Sequence, residues 1–363
     1  VTGFGFSGEG RAKATSWLDL TLGADFVEEN HLFQTFDKLS TLPLIADDGT
    51  VIRPVGSLLP GEARGRRGTF QNVGAYAQAS AAFQEAWYAV VGARLDVHNI
   101  YGANPSVRSG IVHAPPDRPY SLKLLYGSSF KAPSAVQLYT QPIAVGDLQG
   151  NPQLKAQTAH TFEVSSGLKP SSSMDFTFNL FATNVRSRVE FLQRGAFFQA
   201  NNSKDEWVAG GEVEAQVVLV QGLKLRGSAS VAKTLMRSED ITFLTGAPEV
   251  DNPLFPTYQT HLTGDWKVPR VPLRLSAEVS YIGPRESSQS NALEKGEAYA
   301  LPGYVYTAVA LSTSVLKLFG RRETQAALRV VNPLGRRWTE PGFGGVDIPN
   351  QGVTAYLTLN QSI

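Results

Sequence analysis

Apolar and polar residues alternate along most of the chain with a period of two, which predicts strands with one apolar and one polar face. In Leu18–Glu28, Leu18, Leu20, Leu22, Ala24 and Phe26 share one face, and Asp19, Thr21, Gly23 and Asp25 the other. The same pattern runs through Thr69–Phe83, Trp87–His98, Met174–Thr183 and Leu273–Ile282. Further strands are expected at Thr2–Lys13, Ser109–Ala114, Tyr120–Lys131, Gln157–Leu168, Trp207–Val220, Leu223–Lys233, Thr257–Val268, Leu301–Val315, Glu323–Val331 and Gly352–Ile363. That makes roughly 15 strands and no convincing helix. The strand from Met174 is expected to run on, bent, towards Phe191.

The connections sort by length. Short turns at Thr15–Trp17, Gln84–Ala86, Pro115–Pro119, Pro170–Ser173, Gln221–Gly222, Pro269–Pro272 and Lys317–Arg322 alternate with long loops such as Glu29–Arg67, Thr234–Pro256, Gly283–Ala300 and Asn332–Pro349. An up-and-down antiparallel barrel crossing a membrane has this rhythm, with short turns on one side and long loops on the other. Aromatic residues fall near the strand ends: Trp17, Trp87 and Tyr120 by the short turns, and Phe26, Tyr258, Tyr281 and Tyr304 towards the loops. Those positions suit two interfacial girdles. A soluble β-sandwich or propeller with aromatics in its core is the competing reading.

Composition narrows the function more than the fold. The net charge of +1 offers no basic surplus for nucleic acid, and the absence of cysteine removes disulfides and thiolate metal sites. Only 18% of residues are charged, and no apolar run is long enough for a membrane helix. A mean hydropathy of −0.14 is compatible with a barrel, because lipid-facing and lumen-facing residues average out. Val1–Lys13 does not read as a signal peptide. The five histidines are scattered and form no metal set, and no nucleophile elbow or phosphate loop is present, so neither catalysis nor a cofactor is expected.

The charges that interrupt the apolar faces are more informative. Arg94, Asp96, Glu163, Glu212, Glu214, Lys224, Arg226, Arg274, Glu278 and Arg329 all alternate with apolar neighbours. On a lipid face an Arg or Lys near the midplane costs roughly 2–4 kcal/mol, so these side chains are expected to face a lumen. Ligand recognition is expected in the long loops, where Phe33, Phe36, Tyr139, Phe255, Trp338 and Phe343 are candidate contact residues.

One stretch carries a family resemblance. Gly127-Ser-Ser-Phe-Lys-Ala-Pro-Ser134 is followed by Gly150-Asn-Pro-Gln-Leu-Lys155 and then by the Glu163-bearing strand. The two motifs, in that order and at that separation, resemble the TonB-dependent outer-membrane receptors. Lys131 stands for the family's Arg, and Ala156-Gln157 for its Pro-Glu. Gly74-Ala-Tyr-Ala-Gln78, Gly92-Ala-Arg-Leu-Asp-Val-His98 and Gly210-Gly-Glu-Val-Glu-Ala215 are weaker echoes. The family usually ends on an aromatic residue, whereas this chain ends at Ile363, with Gln361 interrupting the lipid-facing series.

The resemblance implies residence in the outer membrane of a Gram-negative bacterium. It implies uptake of a scarce bulky nutrient, such as a siderophore–metal chelate or cobalamin, driven by the TonB complex through a plug domain. No plug or TonB-recruiting segment is legible in residues 1–363, so the chain is expected to be the C-terminal portion of a barrel of about 22 strands. It would begin near the eighth strand, leaving two open edges. The inward-facing charges would then dock the plug or line water. A passive porin and a structural or adhesion barrel are the alternatives.

Overall fold

In a computed structural model the described residues are 1–33, 44–45, 51–53, 66–140, 142, 148–194, 197–202, 205–220, 222–236, 250–251, 255–313, 316–319 and 322–361. Fifteen long antiparallel strands form one curved sheet. In chain order they are β1 (Thr2–Lys13), β2 (Leu18–Phe33), β3 (Arg66–Phe83), β4 (Trp87–His98), β5 (Gly102–His113), β6 (Tyr120–Lys131), β7 (Gln157–Ser171) and β8 (Met174–Arg186). The order continues with β9 (Glu206–Val220), β10 (Leu223–Met236), β11 (Tyr258–Lys267), β12 (Leu273–Ile282), β13 (Tyr304–Thr313), β14 (Arg322–Val331) and β15 (Thr354–Gln361). Each strand pairs with its sequence neighbours, the up-and-down order that the loop rhythm predicts. Two short segments, Val250–Asp251 beside β10 and Leu316–Phe319 beside β14, complete the sheet. Among the described residues β1 pairs only with β2, and β15 only with β14.

Neighbouring short turns are tied together, which places them at one end of the sheet. The Ala82 amide donates to the Trp17 carbonyl at 2.9 Å, Ala114 to Ala86 at 2.8 Å, Val218 to Ser173 at 2.9 Å, and Lys267 to Gly222 at 2.8 Å. Gln84 and Glu85 take positive φ (53° and 54°) in the three-residue turn Gln84–Ala86 that closes β3 onto β4.

Several boundaries differ from the sequence reading. β2 runs to Phe33 and β3 starts at Arg66, because the ladder between them continues past the hydrophobic pattern into polar residues. β5 starts at Gly102, well before the expected Ser109, its early residues held by β4. β8 stops at Arg186; Val189–Arg194 and Phe197–Asn202 form a separate hairpin, not a bent continuation. Ser187 takes φ 53° at that break. Leu316–Phe319 is strand where a turn at Lys317–Arg322 is expected. Among the described residues two short helices interrupt the long loops, α1 (Ala135–Tyr139) and α2 (Gln289–Lys295).

The two faces of the sheet differ as the alternation requires. The outer face carries bare apolar side chains, including Phe6, Val91, Leu124, Phe162, Leu180 and Leu357. A contiguous apolar surface on this scale is foreign to a soluble monomer and fits a hydrocarbon surround. Phe26 packs there against Phe4 and Phe6, with ring centroids 5.9 and 5.4 Å apart. The inner face holds the ion pairs.

Candidate functional site

The inner face is built by register. Asp25, Gly74 and Asp96 are successive cross-strand partners on β2, β3 and β4, with Tyr76 opposite Arg94 one step along. Arg94 therefore reaches two carboxylates. Its Nη1 and Nη2 donate to Asp25 at 2.7 and 3.0 Å, and its Nε and Nη2 to Asp96 at 2.7 and 2.6 Å. Asn72 adds a bond to Asp96 at 2.8 Å, and the Tyr76 hydroxyl donates to Glu9 at 2.6 Å. Room for the guanidinium exists because residue 74 is glycine: a Cβ there would lie 2.1 Å from Arg94 Nη2. Arg94 and Asp96 lie on the face opposite Leu95 and Val97. Asp25, Glu9 and Tyr76 were not singled out, because only the strand register brings them to Arg94.

A second inward group lies on β9 to β14. Arg274 donates through Nε to both oxygens of Asp265, at 2.7 and 2.8 Å, and Ser276 donates to the same carboxylate at 2.9 Å. Arg329 Nη2 donates to Glu278 at 3.1 Å and to the Tyr306 hydroxyl at 3.2 Å. Arg226 donates to the Gln216 amide oxygen at 3.1 Å. Glu163, Glu212 and Glu214 enter no ion pair among the described residues.

At the loop end the motif stretch folds over the inner face. Phe70 has the parity of Asn72 and Gly74, so it points inward. It is 8% exposed and forms a small core with Leu138 of α1, Leu154 and Ala200. Tyr139 meets the Phe70 ring edge-on at 6.2 Å, and His31 and His98 flank it at 4.7 and 5.8 Å. Tyr101, in the turn after β4, stacks on His98 at 3.8 Å, and burial pushes its phenol above the ordinary value.

The motifs explain this packing. Pro133 ends the strand, and Ser134 begins α1 with a capping box shared with Gln137. The Gly150 amide donates to the Thr140 carbonyl and that of Asn151 to Gln137, both at 2.8 Å, so the second motif runs along the helix end. A Cβ on Gly150 would lie 2.7 Å from main-chain atoms of residues 138–140. Asn202 then ties the loop hairpin down, its side chain accepting from the Lys155 amide at 2.9 Å and donating to the Lys155 carbonyl at 3.0 Å. Replacing Gly150 by Val is expected to lift α1 off Phe70, at a cost of about 1–3 kcal/mol. Faster amide exchange at Leu138 and Thr140 checks this; unchanged exchange would contradict the packing.

The loop aromatics divide. Tyr139 is used in the Phe70 core, and Trp338 lies flat on Tyr304 at 4.6 Å and 6°. Phe255 is 66% exposed. Phe36 and the side chains of Phe33 and Phe343 lie outside the described residues.

The family model for the TonB dependent receptor-like β-barrel matches residues 2–320. The chain belongs to that family. Solved structures agree on the fold. A mutant of the ferric enterobactin receptor PfeA from Pseudomonas aeruginosa, in complex with enterobactin, aligns over 98% of this chain and 54% of its own, with TM-score 0.74 and 19% identity. The siderophore receptor PirA from Acinetobacter baumannii aligns over 98% and 54%, with TM-score 0.72 and 15% identity. The FrpB iron transporter from Neisseria meningitidis aligns over 97% and 53%, with TM-score 0.71 and 12% identity. The TonB-dependent receptor chain thus spans about half the length of the structures it matches. No curated protein matches the sequence.

Proposed function

We propose that this chain forms barrel wall of an outer-membrane receptor that imports a metal–siderophore chelate, with energy supplied by the TonB complex through a plug docked on the lumen charges. The observation carrying this reading is the agreement of nearly the whole sheet with receptors whose names specify ferric enterobactin, a siderophore and iron. Two features of the chain support it. The inner face offers paired and unpaired charges to a docked domain, and the motif loop packs Leu138 and Leu154 on the inward-pointing ring of Phe70 at the loop end. A bulky ligand would meet the exposed ring of Phe255 and the loop surface around Trp338. Cobalamin, the other bulky nutrient of the sequence reading, has no counterpart among the names of the matched structures.

Binding tests the reading. The purified receptor in detergent is expected to quench its tryptophan fluorescence on titration with ferric catecholate or hydroxamate siderophores, and the Phe255→Ala variant to bind at least about fivefold more weakly. Absence of saturable binding across both chelate classes, with cyanocobalamin saturating instead, would replace the substrate.

A further inference from the structure

We propose that the β12–β13 and β14–β15 loops form a single cap, pinned by Asn291, that orders and opens as one unit. The inference goes beyond the receptor reading: it rests on contacts between the two loops, and its test needs no ligand.

The loops are joined at three places. Next to the sheet, Trp338 of the second loop stacks on Tyr304, the first residue of β13. Glu340 of the second loop takes both the Arg285 guanidinium and the Tyr304 hydroxyl. The Arg285 side chain is 10% exposed there. Further along both loops, the Ser288 hydroxyl donates to the Gly342 carbonyl. A Cβ on residue 342 would lie 2.0 Å from the Val346 carbonyl oxygen, so glycine lets the hairpin of Thr339–Phe343 with Val346–Pro349 close tightly.

The third place is Asn291 of α2, which is fully buried. Its Nδ2 donates to Asp347 at 2.8 Å and to the Tyr299 hydroxyl at 3.3 Å, and its Oδ1 accepts from the Gly345 amide at 2.9 Å. The Tyr299 hydroxyl donates to the same Asp347 carboxylate at 2.8 Å. Lys295 Nζ lies 3.8 Å from that carboxylate and 3.8 Å from the centre of the Tyr299 ring. Asn291, Lys295 and Tyr299 belong to the first loop, and Gly345 and Asp347 to the second.

This division makes opening cooperative. A buried amide or carboxylate that loses its partners pays its full desolvation penalty. If either loop withdraws alone, Asn291 and Asp347 lose each other in the same step. States with one loop open are therefore disfavoured, and the pair opens as one unit. A ligand that grips Trp338 would by linkage also bias α2, without touching it.

Hydrogen exchange on the purified protein in detergent tests the proposal. Asn291→Ala is expected to speed exchange at Val346–Ile348, in the other loop, at least about tenfold. Asp347→Ala is expected to do the same at Ser287 and Ala292, whose amides donate to the Tyr299 and Ser288 carbonyls at 2.7 and 2.9 Å. Exchange in β8, elsewhere in the sheet, is expected to match the wild type in both variants. Acceleration confined to the mutated loop in either variant would overturn the cap. Equal acceleration in β8 would mean general destabilisation and would also overturn it.

Discussion

Replacing Leu180 by Arg is expected to block membrane assembly. Leu180 sits mid-strand in β8, 63% exposed on the outer face, between Val164 of β7 and Gly211 of β9. An Arg near the bilayer midplane of a barrel costs about 2–4 kcal/mol. Thr177, three residues away, has the opposite parity and faces Glu214 across the β8–β9 ladder. Thr177→Arg therefore places the same charge beside a carboxylate in the lumen, and is expected to assemble normally. Heat-modifiable mobility of the two variants in outer-membrane fractions measures the difference. Equal loss in both would mean that the two faces are misassigned. Leu275, the corresponding outward residue on β12, is a poorer probe. It lies opposite Trp266, three residues into its strand, where the penalty falls towards about 0–1 kcal/mol near the interface.

Removing the Arg94 guanidinium is expected to cost about 2–3 kcal/mol. Breaking a buried ion pair by deleting one partner costs about 3–5 kcal/mol, because the partner's charge stays behind without compensation. The Arg94 side chain is 32% exposed and Asp25 21%, so water recovers part of this, whereas Asp96 is 4% exposed and recovers little. Arg94→Met is therefore expected to lower the midpoint of denaturant unfolding. Adding Asp25→Asn and Asp96→Asn to Arg94→Met is expected to restore most of the loss, since no buried charge then remains. A triple variant as unstable as the single one would show that Arg94 acts through packing, not charge.

The architecture was legible because each strand states its own facing. Leu22 and Asp25 announce lipid and lumen without reference to any partner, and the turn–loop rhythm supplies the up-and-down order. What depends on register was not legible. Asp25 reads as one more inward polar residue until Gly74 and Asp96 are set beside it, and Asp265 gains its role only through Arg274 on the next strand. The end of β8 was misread because Phe191 and Leu192 continue the apolar pattern, while the positive φ at Ser187 turns the chain into a loop hairpin. α1 was missed for a different reason: five residues give no helical period, and only the Ser134–Gln137 box marks it. The candidate ligand aromatics divide on the same ground. Sequence shows a ring in a loop; it does not show that the Trp338 ring is already covered by Tyr304.

The reading of this chain as part of an energy-coupled chelate receptor is tested most directly by whole-cell accumulation of radiolabelled ferric siderophore, with and without a protonophore. Accumulation is expected to require the gene, to fall in the Leu180→Arg variant, and to stop when the protonophore collapses the inner-membrane gradient. Gene-dependent accumulation that continues at the same rate in the presence of the protonophore would contradict the account and establish a passive diffusion channel.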